Sequence, residues 1–358
     1  MTAEATTPLR VAAVGLGYWG PNLARAWSGL ETAELRWLCD LDETNLERVG
    51  THHPEAAITT DLDEVLADPE VEAISIATAV PTHARLALRA LHAGKHVFVE
   101  KPLAMSGAEA REVVAVAESA GLTLAVGHLL VHHPGVAKLK ELSLAGELGE
   151  IHYLYTNRVN LGQVRDDENA LWSLGAHDVS VLLHLVESPP VAASAHGQCF
   201  IRPGVEDVVF ALLRFESGVV AHMQLSWLDP RKTRRITVVG SDKMAVFDDM
   251  QPDEKVKVFD KGVAYPNGSG ANDGAWRPPV SYGEYVQLRF GDTHVPRISS
   301  EEPLRIQCRH FARCVRGLET PRAGGSEGVA VVEILEALQR SLDLGGEVVP
   351  VAPVPLRV

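Results

Sequence analysis

Three glycines near the start of the chain have the spacing of a phosphate-binding turn. Gly15, Gly17 and Gly20 form a G-x-G-x-x-G pattern directly after the apolar run 9–15. Between a strand and a helix, this spacing lets the backbone approach the pyrophosphate of a dinucleotide. Asp40 ends a second apolar run twenty residues after Gly20, where an acid accepts hydrogen bonds from ribose hydroxyls. We expect the cofactor NAD rather than NADP, because a carboxylate repels a 2′-phosphate and no arginine follows Asp40.

Two further residues could move a proton. Lys101 lies at the end of the apolar run within 95–104, and a lysine whose pKa is lowered by burial can shuttle a proton or stabilise an alkoxide. His177 lies in the apolar run 171–186, with Ser173 four residues earlier on the same helical face. Each has a simpler structural explanation, an exposed lysine and a core histidine. Their role depends on whether they face the cofactor.

The elements that must position these residues alternate between strand and helix. Apolar runs predict buried strands at 9–15, 33–42, 71–78, 95–104 and 122–130, and the segments between them include amphipathic helices, one of them capped by Ser106. This alternation implies a doubly wound parallel sheet that binds ligands at the carboxyl ends of its strands. Thr78, Pro81 and His83 then fall at the same rim as the glycine turn, and we expect them to contact the cofactor.

After about residue 128 the pattern changes. Helices are predicted at 134–149 and 171–186, a strand at 150–160, and several alternating runs joined by hairpin turns at 216–218 and 240–242, followed by a turn-rich loop at 265–279 and two closing helices. The fold class is therefore α/β, with an N-terminal Rossmann doubly wound parallel sheet and a C-terminal α+β domain with a mostly antiparallel open sheet. We place the NAD-binding domain at 1–127 and the substrate-binding and oligomerisation domain at 128–358. An exposed sheet face often pairs with another subunit, so we expect a homo-oligomer, a dimer or a tetramer.

Composition narrows the class of protein. A chain of 358 residues predicts two domains. No run approaches the roughly 18 apolar residues of a membrane span, and the first residues do not resemble a secretion signal. We therefore expect a cytoplasmic protein without a membrane partner. The net charge of −14 argues against non-specific nucleic-acid binding.

Cysteine and histidine spacing gives no reason to expect a metal. The four cysteines lack C-x-x-C spacing, which argues against a zinc site and a disulfide framework. His128, His132 and His133 are close in sequence, but no H-E-x-x-H pattern or cysteine partner accompanies them. We predict no metal site.

Three motifs together resemble the Gfo/Idh/MocA oxidoreductase family. They are GLGYWGPN at 15–22, EKP at 100–102 and LWSLGAHDVSVLL at 171–183, and the resemblance covers nearly the whole chain. It implies hydride transfer between a nicotinamide and a sugar carbinol. The segments GHLLVHHP and NRVNLG…NALWSLGAHD are similar to the nucleotide-sugar 3-dehydrogenases, which oxidise C3 of UDP-N-acetylglucosamine or its uronic acid.

The resemblance also implies roles for single residues. Lys101 is expected to touch the nicotinamide ribose and the substrate, Pro102 to follow a cis bond, and His177 to act as acid/base. Within the motifs, Tyr18, Trp19 and Glu100 join the predicted cofactor site, and Ser173 joins Lys101 and His177 in the predicted substrate site.

Ser173 departs from the family, many members of which carry an aspartate at this place. A serine cannot stabilise an imidazolium as a carboxylate does. Either Asp178 or Lys101 takes over that role, or this branch depends on it less. Arg158 and Arg165 are candidate partners for a substrate carboxylate or diphosphate, because guanidinium binds both bidentately; alternatively they are ordinary surface arginines.

Two other functions remain open from the sequence. An NADPH-dependent 3-ketoreductase of a dTDP-deoxysugar would run the reverse reaction, and Asp40 weighs against it. The other is a non-catalytic NAD-binding regulator. Its only support is Ser173 in place of the aspartate, and the presence of both Lys101 and His177 argues against it.

Overall fold

The chain is organised around two β-sheets, which we describe from a computed structural model covering residues 7–162, 164–165, 168–264 and 287–353. The loop predicted at 265–279 lies outside these residues. The first sheet has six parallel strands, β1 (Leu9–Val14), β2 (Ala33–Cys39), β3 (Ala57–Thr59), β4 (Ala73–Ile76), β5 (His96–Val99) and β6 (Leu124–Val126). Their spatial order, β3-β2-β1-β4-β5-β6, confirms the predicted doubly wound Rossmann sheet.

Five helices connect these strands, α1 (Gly20–Ser28), α2 (Glu43–Gly50), α3 (Leu62–Ala67), α4 (His83–His92) and α5 (Gly107–Ser119). Pro21 lies in the first turn of α1, where its missing N–H costs no hydrogen bond. The Ser106 side chain accepts a hydrogen bond from the Glu109 N–H and caps α5, as predicted. The apolar runs had not indicated α2, β3 and α3, which are short and bury few residues.

The second sheet has nine strands, β7 (Ile151–Val159), β8 (Pro190–Gln198), β9 (Val208–Phe215), β10 (Val220–Ser226), β11 (Thr233–Gly240), β12 (Met244–Asp248), β13 (Val256–Ala264), β14 (Gln287–His294) and β15 (Val349–Pro350). Their order is β14-β13-β12-β11-β7-β10-β9-β8-β15. Among the described strands of this sheet only β7 and β10 pair in parallel, so the predicted mostly antiparallel sheet is confirmed. The turns at 216–218 and 240–242 close the β9–β10 and β11–β12 hairpins.

Helices cover one face of the second sheet. They are α6 (Pro134–Leu144), α7 (Ala176–Val186), which follows a π-helical turn at Leu171–Gly175, and α9 (Gly325–Asp343). The helix α8 (Pro303–Val315) returns to the first sheet, where Phe311 packs edge-on against Trp27 and Phe98 with ring centroids 5.7–5.9 Å apart. The proposed boundary at residues 127/128 stays a prediction, because α8 and α9 both contact elements of the first sheet.

The opposite face of the second sheet is the more exposed one. Tyr153, Tyr155 and His222 stack there in a row, with neighbouring ring centroids 5.1–6.4 Å apart. The predicted pairing of this face with another subunit, and with it the homo-oligomer, stays a prediction.

Among the described helices, none combines the length and the apolar character needed to cross a bilayer.

Candidate active site

A cavity of about 1290 Å³, which we call the cofactor cavity, lies between the two sheets. On one side it is bounded by residues that follow β1, β2, β4 and β5, which is the carboxyl edge where a doubly wound sheet binds its ligand. On the other side it is bounded by the end of β7, the turn before α7 and the start of β11. A ligand bound at the rim of the first sheet therefore faces side chains of the second.

The glycine turn fits a pyrophosphate. Gly15 has a φ of +88°, and a Cβ there would overlap the Ala77 carbonyl, while a Cβ at Gly20 would overlap the Gly15 carbonyl oxygen. A Cβ at Gly17 would meet nothing within 4 Å, and Gly17 lines the cavity. Two glycines thus permit a tight turn and close helix packing, and the middle one leaves the backbone open to the ligand.

Asp40 is held at the rim next to this turn. It follows β2 and lines the cavity. One carboxylate oxygen accepts a hydrogen bond from the Leu16 N–H, and the other accepts one from the Asp42 N–H at 2.8 Å. The carboxylate is therefore oriented before a ribose arrives, which favours NAD over NADP.

Replacing Asp40 by serine should weaken NAD binding by roughly ten- to a hundredfold, because hydrogen bonds to a charged group each contribute about 1.5–3 kcal/mol. The affinity for NADP should stay equal or rise, since the repulsion of the 2′-phosphate is removed. Titration calorimetry with both nucleotides measures the ratio. Asp42→Ser is the matched control, because serine can still cap α2 and the change should leave the NAD/NADP ratio unchanged. An unaltered ratio in Asp40→Ser would refute the assignment.

The other predicted cofactor residues divide into two groups. Tyr18, Trp19 and Thr78 line the cavity. Gly20 and Pro81 do not: Gly20 is buried under the turn, and Pro81 is exposed in the 3₁₀ turn Val80–Thr82. A direct cofactor contact of these two residues stays a prediction, and in the structure they shape the two loops.

His83 lies in the wall of the cavity and is 1% exposed. Its Nδ1 is 2.8 Å from the Pro102 carbonyl oxygen and its Nε2 is 3.1 Å from the Thr78 carbonyl oxygen. The ring thus joins the loop after β4 to the loop after β5. Its direct contact with the cofactor stays a prediction.

Lys101 follows β5, and the Lys101–Pro102 bond is cis, as the resemblance implied. The Lys101 Nζ donates a hydrogen bond to the Ser173 carbonyl oxygen at 2.9 Å. Burial lowers the pKa of Lys101, against the opposing charges of Glu168 and Glu100. Burial raises the pKa of Glu100 itself to about 7, with Lys101 opposing the shift. The lysine therefore lies across the cavity with two more N–H groups free for a ligand.

His177 lies in the first turn of α7 and lines the same cavity as Lys101 and Ser173. Burial, and then the charge of Lys101, hold the pKa of His177 well below 6.5. The imidazole is neutral at neutral pH and can accept a proton. The structure thus places the three predicted substrate-site residues together.

Neither Asp178 nor Lys101 replaces the aspartate that many family members carry where this chain has Ser173. Asp178 is turned away and binds Arg158, and the charge of Lys101 disfavours an imidazolium at His177 instead of stabilising it. The His177 Nδ1 is buried without a hydrogen-bond partner among the described residues. Of the three possibilities, the geometry favours a site that depends less on a charged partner for its histidine.

The predicted substrate role of Arg158 stays a prediction, and the structure gives its guanidinium a second, structural partner. Its guanidinium lines the cavity but forms a bidentate ion pair with Asp178, with N–O distances of 3.1–3.2 Å and side chains that are 10% and 2% exposed. Arg165 pairs with Glu168 at 2.9 Å and is 45% exposed. Arg158 therefore connects β7 to α7, and of the two arginines Arg165 is the more accessible to a ligand.

Arg158→Met should destabilise the protein by about 3–5 kcal/mol, because it leaves the Asp178 carboxylate buried without a partner. Urea unfolding followed by circular dichroism measures the loss. Asp178→Leu introduced into the same variant should recover most of it. Arg165→Met breaks a more exposed pair and should cost less than about 1 kcal/mol. If Arg158→Met were as stable as Arg165→Met, the pair would not be holding α7.

Sequence reasoning missed three residues at the mouth of the cavity. Lys232, Thr233 and Arg234 line it from the start of β11. Lys232 is exposed and forms no ion pair with the described residues, and Arg234 is 3.6 Å from Asp249. The available signal was the basic run RKTRR at 231–235 in an otherwise acidic chain.

The comparisons with known proteins agree with this geometry. A family model described as an oxidoreductase family with an NAD-binding Rossmann fold matches residues 9–128, and a model of the GFO/IDH/MocA C-terminal domain matches residues 136–246. A solved structure from Magnetospirillum magnetotacticum is 33% identical, with a TM-score of 0.77 over 93% of this chain and 100% of that one. GenD2 from gentamicin A biosynthesis, solved in complex with NAD, is 27% identical, with a TM-score of 0.80 over 99% of each chain. The UDP-N-acetylglucosamine 3-dehydrogenase of Acidithiobacillus ferrooxidans is 27% identical over 67% of this chain and 74% of that protein.

Proposed function

Because the chain belongs to the Gfo/Idh/MocA family of NAD-binding oxidoreductases, we propose that it is a dehydrogenase of a nucleotide-linked sugar. The reacting group is a secondary alcohol, most simply C3 of a UDP-N-acetylhexosamine or of its uronic acid. The enzyme class and the NAD cofactor follow from the family. The identity of the sugar, and whether it is linked to a nucleotide, are what the experiments below test.

The charge of the cavity mouth carries the proposal. Lys232, Arg234 and Arg165 line the cavity on the side of the second sheet, across from the glycine turn. In a chain with a net charge of −14, such a group of cations at one mouth is suited to an anionic ligand. A nucleotide sugar brings a diphosphate, which guanidinium and ammonium groups bind strongly. The similarity to a UDP-N-acetylglucosamine 3-dehydrogenase points to the same ligand class.

The residues around the reacting carbon can supply the proton chemistry. When bound, NAD takes the hydride from the carbinol carbon. The neutral His177 imidazole accepts the proton of the hydroxyl group. Lys101, fixed by the Ser173 carbonyl, donates a hydrogen bond to the same oxygen and stabilises the negative charge that develops on it. The cis-linked loop and the first turn of α7 thus hold the two groups on the substrate side of the cavity.

A panel of substrates tests the function. Purified protein is incubated with NAD and either UDP-N-acetylglucosamine, its uronic acid, a dTDP-sugar, or a sugar without a nucleotide, and the absorbance of reduced nicotinamide is followed. A 2-oxo acid acceptor is included in parallel, so that NADH that stays bound does not hide turnover. We expect activity with the UDP-sugars. Activity confined to sugars without a nucleotide would overturn the proposal.

Substitutions of the basic residues at the cavity mouth test more directly whether the substrate carries a nucleotide diphosphate. Lys232→Gln and Arg234→Gln should each raise KM for a UDP-sugar by about tenfold, the effect of one lost charge-assisted hydrogen bond of about 1.5 kcal/mol, and should leave kcat nearly unchanged. Arg235→Gln is the matched control, because Arg235 belongs to the same basic run, pairs with Asp248 and does not line the cavity. Equal KM values in all three variants would exclude a diphosphate at this mouth.

A further inference from the structure

A second cavity, which we call the rear cavity, lies behind the wall of the cofactor cavity. It has a volume of about 250 Å³ and is bounded by α7, the segment after β6 and the start of α9. Its inner end is formed by His128, which is 1% exposed, and its mouth by the exposed residues Glu187, Thr320 and Arg322. The chemistry proposed above does not use this cavity.

Residues that are neighbours in the chain line the two cavities. Gly127 and Leu129 line the cofactor cavity, while His128 between them lines the rear cavity. The same division runs along α7, where His177 lines the cofactor cavity and Ser180, one turn later, lines the rear cavity. Ser180 donates its hydroxyl hydrogen bond to the His177 carbonyl oxygen at 2.7 Å. His128 and the first turn of α7 therefore separate the reacting centre from the rear cavity.

His128 has unused hydrogen-bonding capacity at this wall. Both of its ring nitrogens are buried and have no partner among the described residues. Buried polar groups are rarely left without a partner, and a cavity of this size with several polar side chains in its lining has room for ordered water. Burial, and then the charge of Lys101, lower the pKa of His128 to about 3. The ring is thus neutral, with one nitrogen that accepts a proton and one that donates.

Further titratable groups line the two cavities on either side of His128. On the inner side are Lys101 and His177, and the pKa of His177 is lowered in part by His128. On the outer side, His184 lines the rear cavity together with Arg322. Burial lowers the pKa of His184 to about 4, with Lys140 and Arg322 adding to the shift. Imidazoles with lowered pKa values therefore line both cavities, His177 the cofactor cavity and His128 and His184 the rear cavity.

We propose that His128 relays the substrate proton from His177 to water in the rear cavity. This rests on the proposed dehydrogenase function. For each hydride that leaves the carbinol carbon, one proton passes from the hydroxyl oxygen to the cavity-facing nitrogen of His177. The buried Nδ1 of His177 then releases its proton to His128, directly or through one water. His128 gives up the proton on its other nitrogen to the rear cavity, so one proton enters and one leaves. The relay is needed because bound cofactor and sugar displace the water on the front side of His177.

Stopped-flow kinetics on the intact protein test the relay with the sugar that the panel identifies. NADH absorbance reports the hydride, and a pH indicator in weak buffer reports the proton. In the wild type the two signals should rise together. In His128→Leu proton release should lag and turnover should fall by about a hundredfold, a typical contribution of a positioned acid/base group. Added imidazole, which the rear cavity can admit, should restore both. Val131→Ala is the control, because it enlarges the same cavity and keeps the histidine.

A second variant separates the relay from a structural role. Val331→Phe fills the rear cavity from α9 and leaves His128 in place. It should also slow proton release, and imidazole should not rescue it because the space is taken. Wild-type rates in both variants would overturn the relay, as would a slow His128→Leu that imidazole does not improve.

A measurement without any sugar keeps the relay testable if the panel fails. In protein labelled with ¹⁵N-histidine and loaded with NAD, the ring N–H of His128 should exchange with water rapidly. Exchange should be at least about tenfold slower in Val331→Phe, since exchange depends on access to water. Slow exchange in the wild type would exclude water at His128 and refute the relay, whatever the substrate is.

Discussion

Replacing Lys101 by methionine should lower kcat by about 10²–10⁴-fold while NAD still binds. Methionine has a similar length and fills the same space, so the cavity wall is kept. The variant loses the ammonium group that donates a hydrogen bond to the Ser173 carbonyl oxygen and that we propose to stabilise the reacting oxygen. NAD affinity should change less than about tenfold, because at most one uncharged hydrogen-bond acceptor on the cofactor loses its donor. Steady-state kinetics and calorimetric NAD titration measure the two effects separately.

A second buried lysine in the same domain provides the matched control. Lys95 is 7% exposed, and its Nζ donates hydrogen bonds to the carbonyl oxygens of Asp68 and Val71. Burial lowers its pKa, as it does for Lys101. Lys95→Met should therefore lower the free energy of unfolding and leave kcat of the folded protein unchanged. If the two methionine variants lost activity equally, the effect at Lys101 would come from the fold and not from the reaction.

The parts of the site that could be predicted from the sequence are carried by short, continuous motifs. The glycine turn and Asp40 are joined by one strand–helix–strand unit, so their spacing in the chain determines their distance in space. The EKP tripeptide is likewise placed by the end of a single strand. In each case the short segment of chain determines where the side chains can lie. Gly20 ends the glycine turn and Pro81 lies in the turn after β4, and neither is among the residues that line the cavity.

The parts that could not be predicted depend on which strands become neighbours. Arg234 reaches the cavity mouth because β11 pairs with β7, which places it opposite Arg158. These strands are far apart in the chain and are not joined by a hairpin. The Arg158–Asp178 pair arises in the same way, between a strand and the helix that covers it. Hydrophobic periodicity indicates which face of an element is buried, but it does not indicate which charged groups meet there.

A wild-type titration near pH 7 should belong to Glu100 and not to His177. The pKa of Glu100 is raised to about 7 by burial, whereas the pKa of His177 lies well below 6.5. As the pH rises through 7, Glu100 ionises and its charge favours the charged form of Lys101. Oxidation should therefore accelerate through this range. The pH dependence of the rate thus shows which of the two residues titrates near pH 7, because the His177 imidazole is unprotonated both below and above that pH.

Replacing His177 by asparagine should lower kcat by about 10²–10⁴-fold, because His83, the other described imidazole that lines the cavity, already has both ring nitrogens at carbonyl oxygens. NAD affinity should stay the same, and the residual activity should keep its rise near pH 7, because Glu100 is intact. His222→Asn is the control, since His222 stacks on Tyr155 at the exposed sheet face. Loss of the pH step in His177→Asn would assign the titration to the imidazole. Full activity would remove His177 from the reaction and leave Lys101 as the group that accepts the proton.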